Sequence, residues 1–307
     1  MTGVRVIGPA GSRADLSAGR QARGSDRGQR RRRAGFDRPR FLLFVTAATI
    51  AFLFLPIVVV VFFSFNSEHS LSVFTGFSTR WYGTLATDPT IRASLLASVE
   101  IAAVTMAVST ALGVMLAFAL VRARTRATRP TEITLLLNLV APEIVGAVSL
   151  MLLFVQVGVQ LSLVTVTLGH ITFSIAYVAI IVRGRLSTLN PQLEEAAMDL
   201  GATEFQSVRL VALPMLWPAI LAAGLLVFVM SFDDFITSFF TSGSGTPPLP
   251  VLIYSMIKFG ISPVINAIGT LMMVVSVCVA VAALGLFSVR GTGRGRRRRA
   301  VAGQEEA

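Results

Sequence analysis

The stretch NPQLEEAAMDLGATEFQSVRLVALP, residues 190–214, is polar and heavily punctuated, yet it lies between two long apolar segments. Asn190 is placed to cap a helix whose first residue, Pro191, lacks an amide donor that the first turn would leave unused anyway. Leu193, Ala196, Ala197 and Leu200 fall at i, i+3, i+4 and i+7 and form one narrow apolar stripe, with Glu194, Glu195 and Asp199 on the other faces. Gly201 stands where a left-handed cap would end that helix. Thr203 with Gln206 reads as a capping box that starts a second helix. The pattern predicts an amphipathic hairpin outside the bilayer, with a small-residue face suited to docking.

Outward from this hairpin the chain is apolar. Of its 307 residues 54% are hydrophobic and only 14% charged, and the mean hydropathy is +0.73, far from an average soluble domain. Six runs, 41–63, 93–120, 132–155, 161–183, 216–240 and 264–289, each reach the roughly 20 residues needed to cross a hydrocarbon core about 30 Å thick. The third is the weakest, because Asn138, Pro142 and Glu143 interrupt it. The expected fold is therefore an all-α membrane protein with six transmembrane helices.

Basic residues set the orientation. With the N-terminus in the cytoplasm, 24 of the 27 Lys and Arg fall on the inner side, leaving only Arg80, Arg92 and Lys258 outside. That bias predicts that both termini and the 190–214 hairpin are cytosolic. Residues 1–40 form an Arg-rich tail expected to be disordered, 41–290 the transmembrane domain, and 291–307 a second basic tail. The net charge of +11 then needs no nucleic-acid partner, since anionic lipid accounts for Arg30–Arg33 and Arg296–Arg299. Arg32-Arg33 ahead of an apolar run mimics an export signal, but the run is too long for a cleaved one.

Nothing in the chain reads as an enzyme or a metal site. No Gly-x4-Gly-Lys-Ser/Thr occurs, and the sole lysine is Lys258. If ATP drives this protein, another subunit hydrolyses it, and no cofactor is expected on this chain. His69 and His170 lack companion ligands, and His170 reads as a hydrogen-bonded packing residue near Thr172 and Ser174. Cys278 is alone, which excludes an internal disulfide. Of the two connecting segments on the outer side, 64–92 carries Trp81 and Tyr82, which suit a helix lying at the membrane interface. The other, 241–263, begins with Gly243, Gly245, Pro247, Pro248 and Pro250, a turn-rich segment expected not to be helical.

Carboxylates inside apolar runs are the second informative feature, because an ionised acid in hydrocarbon normally faces a protein interior or an aqueous path. Asp233 and Asp234 lie about 17 residues into the fifth run, roughly 25 Å along a helix. As adjacent helical positions they would point about 100° apart. Glu143 follows Pro142 near the middle of the third run, where a freed carbonyl is tolerated if it lines a cavity. The alternative is that Asp233 or Asp234 bonds neighbours such as Ser231 or Thr237, and that Glu143 is protonated in a packed core. Glu100 fits no pattern.

Glu195-Ala196-Ala197, the spaced Gly201, and Val211-Ala212-Leu213-Pro214 resemble the EAA loop of ATP-binding-cassette importer permeases, with valine at 211 where that family favours isoleucine. Further segments sharpen this. Arg80-Trp81-Tyr82, Ala141-Pro142-Glu143-Ile144-Val145, His170-Ile171-Thr172-Phe173, Ser231-Phe232-Asp233-Asp234 and Leu249-Pro250-x-x-Ile253-Tyr254-Ser255-Met256 occur in order. With Gly260-x-Ser262-Pro263-x-x-Asn266-Ala267 they are similar to the second permease subunit of spermidine/putrescine importers over about 41–290. Where that family often has aspartate after the proline of span three, this chain has Glu143.

The resemblance implies a type I importer permease architecture (like the molybdate and methionine permeases) in a bacterial inner membrane. It implies a second homologous permease subunit, a dimer of ATPase subunits and an extracytoplasmic polyamine-binding protein as partners, besides the lipid bilayer. Glu195, Ala196, Ala197, Gly201, Leu213 and Pro214 would couple to the ATPase, while Asp233, Asp234 and Glu143 would line the substrate path. A permease of the same architecture for iron, thiamine or sugar stays open, as does a stand-alone secondary carrier. The latter often shows inverted repeats, and none is evident between 41–155 and 161–289.

Overall fold

The computed structural model describes residues 40–68, 73–122, 128–259 and 263–302. The expectations for the N-terminal tail up to residue 39, for His69, for Gly260 and Ser262, and for 303–307 lie outside these residues. Among the described residues there is no strand, only an isolated antiparallel bridge between Asn66 and Phe77. Five helices are long and apolar enough to span a bilayer, six if one sharply bent pair counts as a single span.

The chain divides into two units, residues 1–59 and 60–307. In the first, the described residues belong to α1 (Arg40–Phe63), which is apolar all round and exposed from Phe41 to Val59. A helix apolar on every face has no stripe to bury against water and fits a lipid environment.

The second unit is built on three long helices, α3 (Pro89–Arg122), α6 (Leu163–Leu186) and α9 (Leu213–Phe232), which pack on one another. In lipid, helices gain little from hiding apolar groups and associate by close approach at small residues. The buried face of α3 accordingly carries Ser94, Ala97, Ser98, Ala102, Thr105, Ser109, Gly113 and Ala117. At Gly113 the approach of α6 is so close that a β-carbon would lie 2.5 Å from Val178 Cβ.

The third apolar run is not one continuous helix but two, α4 (Thr128–Val140) and α5 (Glu143–Gln156), set at 108°. Pro142, with φ −59° and ψ 123°, supplies no N–H and its ring blocks helix continuation, so the chain turns there and restarts. Val145 and Gly146 N–H groups both reach the Pro142 carbonyl, at 3.0 and 3.3 Å.

The fifth run also departs from expectation. It begins earlier, at Glu204, as α8 (Glu204–Ser207) leading through a π-helical segment (Val208–Ala212) into α9, and α9 ends at Phe232. A separate short helix, α10 (Ile236–Thr241), follows. Asp233 and Asp234 therefore lie in the break, not at consecutive positions inside a helix. The π segment sits one turn ahead of Pro214, whose missing N–H would leave a gap in an α-ladder; the wider turn puts Leu213 N–H on the Val208 carbonyl.

Two loop expectations are revised. Residues 80–87 do form a helix, α2, but Trp81 is only 5% exposed and belongs to a cluster with Phe232, Leu249, Ile268 and Met272. Its indole N–H donates to the Asn66 carbonyl at 2.7 Å, so its polar edge is satisfied inside the protein instead of at a lipid headgroup. The proline-rich segment turns helical at Leu249, giving α11 (Leu249–Phe259). Pro250 sits in the first turn, where its lack of N–H costs nothing. The Leu249 N–H donates to Ser98 Oγ of α3 at 2.7 Å. The last helix, α12 (Val264–Ala302), continues beyond the expected end of its span.

Gly113→Ala should destabilise the folded protein by about 1–3 kcal/mol through overpacking against Val178. Gly184→Ala, on the same helix as Val178 with nothing within 4 Å of a β-carbon, should not. Thermal unfolding of the detergent-solubilised variants separates the two.

Candidate functional site

The breaks in the third and fifth runs meet, since α5 packs along α10. Each break carries an acid. Glu143 opens α5 directly after Pro142, and its carboxyl group neighbours that of Asp234. Asp234 Oδ1 accepts the Thr237 N–H at 3.0 Å, which satisfies one orphan donor at the start of α10. Its Oδ2 lies 3.2 Å from His170 Nε2.

His170, on α6 and 2% exposed, has both ring nitrogens in contact: Nδ1 with Ser231 Oγ at 2.7 Å and Nε2 with Ser238 Oγ at 3.2 Å. Asp233 points elsewhere. It accepts from Ser276 Oγ of α12 at 2.8 Å. The two adjacent acids thus serve different neighbours, and Asp234, Glu143 and His170 form one polar group where four helices converge. Glu143 is exposed and Asp234 partly so, while His170 is buried behind them. The arrangement presents carboxyl groups at a surface, suited to a cation or a hydrogen-bond donor. Glu100 does not join it: Glu100 lines a largely apolar recess of about 350 Å³ with Val104, Leu163 and Thr167 between α3 and α6. Among the described residues no group of His, Cys, Asp or Glu is arranged to hold a metal ion.

The 190–214 hairpin is local in its causes. Asn190 Oδ1 accepts the Gln192 N–H at 3.1 Å, and α7 runs Gln192–Asp199, one residue later than the expected start. The C-terminal end closes as a Schellman motif: Gly201 N–H bonds the Met198 carbonyl and Ala202 N–H the Ala197 carbonyl, at 2.9 and 3.1 Å, with Gly201 at φ +93°. Thr203 and Gln206 make the reciprocal capping box. Leu193, Met198, Leu200, Phe205 and Leu210 remain exposed, Leu200 at 91%. Glu195 and Ala196 are exposed and Ala197 half-buried, whereas Leu213 and Pro214 begin α9. Arg122, the last residue of α3, pairs with Glu194, and Ser207 Oγ reaches the Glu194 carbonyl at 3.4 Å. A short helix thus carries an uncovered apolar face and is tied by its charged face to the end of a long apolar helix.

The link from His170 to Asp234 was not visible in the sequence, where the residues are 64 positions apart. The Asp234…Thr237 spacing is a capping signal that a break could have been sought from.

Residues 109–290 match the family described as "Binding-protein-dependent transport system inner membrane component". The chain is 38% identical over 229 residues to the putrescine transport system permease protein PotI of Escherichia coli (strain K12), covering 72% of this chain and 82% of that protein. It is 36% identical over 235 residues to the spermidine/putrescine transport system permease protein PotC of the same organism, covering 76% and 89%. PotC of Haemophilus influenzae is 37% identical over 231 residues, covering 75% and 90%. In fold, a bacterial ABC transporter involved in the import of the acidic polysaccharide alginate superposes with a TM-score of 0.60 at 14% identity, over 80% of this chain and 94% of that one. The MetNI methionine ABC transporter gives 0.54 at 19% identity, over 64% and 94%.

Gly201→Ala places a β-carbon in open space, so any effect comes from the backbone: a left-handed φ costs a non-glycine residue about 1–2 kcal/mol. The variant should insert and fold normally. Hydrogen exchange should quicken at Gly201 and Ala202, the donors of the Schellman motif, and remain unchanged across α3 and α6.

Proposed function

This chain belongs to the family of binding-protein-dependent transport system inner membrane components, and from that premise we propose that it carries polyamines across the membrane as one permease subunit of an ATP-driven importer. It is a multi-pass bacterial inner-membrane protein with the fold of an importer permease. ATP is hydrolysed on a separate pair of subunits, which dock on the exposed apolar face of the 190–214 hairpin. Both termini and that hairpin face the cytosol, as the distribution of arginines favours. A second, related permease completes the path, and an extracytoplasmic binding protein delivers the amine at the opposite mouth.

The observation that carries the polyamine assignment is the meeting of Glu143 and Asp234 at two helix breaks, in a chain whose relatives are permeases for putrescine and spermidine. A spermidine-like solute brings several ammonium groups into a medium where an unpaired charge is expensive, and carboxyl groups offset that cost. Few acids suffice, because a deep anionic trap would hold the cation and prevent release. Movement of the hairpin reaches the helices through Arg122 and Glu194 at the end of α3, and through the π segment that joins the hairpin to α9. The permease pair then alternates between openings to either side.

The test is uptake of labelled spermidine and putrescine into proteoliposomes holding the whole importer. Asp233→Asn with Asp234→Asn should lower the apparent affinity about tenfold or more, from the lost charge-assisted bonds, and more for the trivalent than the divalent amine. Equal uptake of both amines by parent and variant would remove these acids from the path. Failure of the parent to transport either amine would overturn the polyamine assignment.

A further inference from the structure

We propose that His170 is the positioning residue of the polar site: it staples the broken fifth run across its gap and fixes the direction in which Asp234 presents its carboxyl group. The observation is that one ring touches both sides of the break and the acid within it. Ser231 lies in the last turn of α9, Ser238 in α10 and Asp234 between them, at 2.7, 3.2 and 3.2 Å from ring nitrogens. Such a gap in an apolar run frees backbone groups and leaves two helix ends hinged on three residues. Something outside the run has to hold them, and α6 does so at three successive points.

Thr165 Oγ donates to the Thr241 carbonyl at 2.8 Å. Gly169 lies so close to α10 that a β-carbon there would be 2.8 Å from Thr237 Cγ2. His170 supplies the third contact and the only one of the three that reaches the acid. Oδ1 accepts the Thr237 N–H and Oδ2 lies 3.2 Å from the imidazole Nε2, so both oxygens of the Asp234 carboxyl group have a neighbour that sets their direction. A leucine of similar bulk keeps the packing and loses all three polar contacts. A glutamine keeps an amide that both donates and accepts. The histidine itself is buried, so it touches no solute and acts through Asp234.

This rests on the reading of Asp234 as part of the amine path, and the experiment separates the two. In proteoliposomes of the complete importer, His170→Leu should raise the KM for spermidine about tenfold, the worth of one charge-assisted bond, while maximal uptake and solute-independent ATPase activity stay within about twofold. His170→Gln should restore at least part of the KM. In an Asp234→Asn background, His170→Leu should add nothing further, because the group it orients is already gone. A KM equal to the parent's in His170→Leu, or full additivity with Asp234→Asn, would overturn the proposal while leaving polyamine transport by the parent intact. Should His170→Leu fail to assemble, the comparison of His170→Gln with and without Asp234→Asn carries the same test. If the parent takes up no amine, the functional reading itself fails, and the failure is not that of His170.

Discussion

A peptide group inside a bilayer has no water to turn to, and this constraint organises the second unit of the molecule. Every interruption of a helix frees N–H and C=O groups at a cost of several kcal/mol each unless protein replaces the solvent. The chain interrupts itself twice, after Val140 and after Phe232, and the segments restarting after the two interruptions pack against each other. Each restart has a local satisfier: the Pro142 carbonyl takes the N–H groups of Val145 and Gly146, and Asp234 takes that of Thr237. Asp234 is thus part of what makes the second break tolerable, and the breaks are where both acids stand.

The long helices supply the frame for this. Small residues on α3 let α6 approach within the reach of a single methyl group, and α6 then presents Thr165, Gly169 and His170 to the short helix beyond the second break. In the polar 190–214 hairpin the ordinary capping devices return. Asn190, Gly201, Thr203 and Gln206 each satisfy a helix terminus, so a helix of only eight residues holds its shape while its apolar side chains stay exposed. The π-helical turn before Pro214 joins the two regimes.

How much of this was legible in the sequence follows from the range of the forces involved. The hairpin was read down to its caps because each cap involves residues two to five apart. The apolar runs were read because crossing a bilayer needs only length and composition, and Pro142 announced the weakness of the third. The second break carries no proline or glycine; there Asp234 accepts the Thr237 N–H and lies beside His170, 64 residues earlier, a meeting that only the fold brings about. In the sequence Trp81 reads as an interfacial residue, because its partner, the Asn66 carbonyl, and the apolar cluster it joins from α9, α11 and α12 come together only in the fold. Pro250 was read as a helix breaker, although in a first turn it is tolerated.

The central claim is that the two breaks line an aqueous route with carboxyl groups, and thiol chemistry at position 143 tests it most directly. The single native cysteine, Cys278, is removed first and Glu143→Cys introduced into the assembled importer in membranes. The account predicts that a charged, water-soluble thiol reagent modifies position 143 and that spermidine slows the reaction. A thiol that never reacts from the aqueous phase, or one whose labelling ignores the amine, would contradict it.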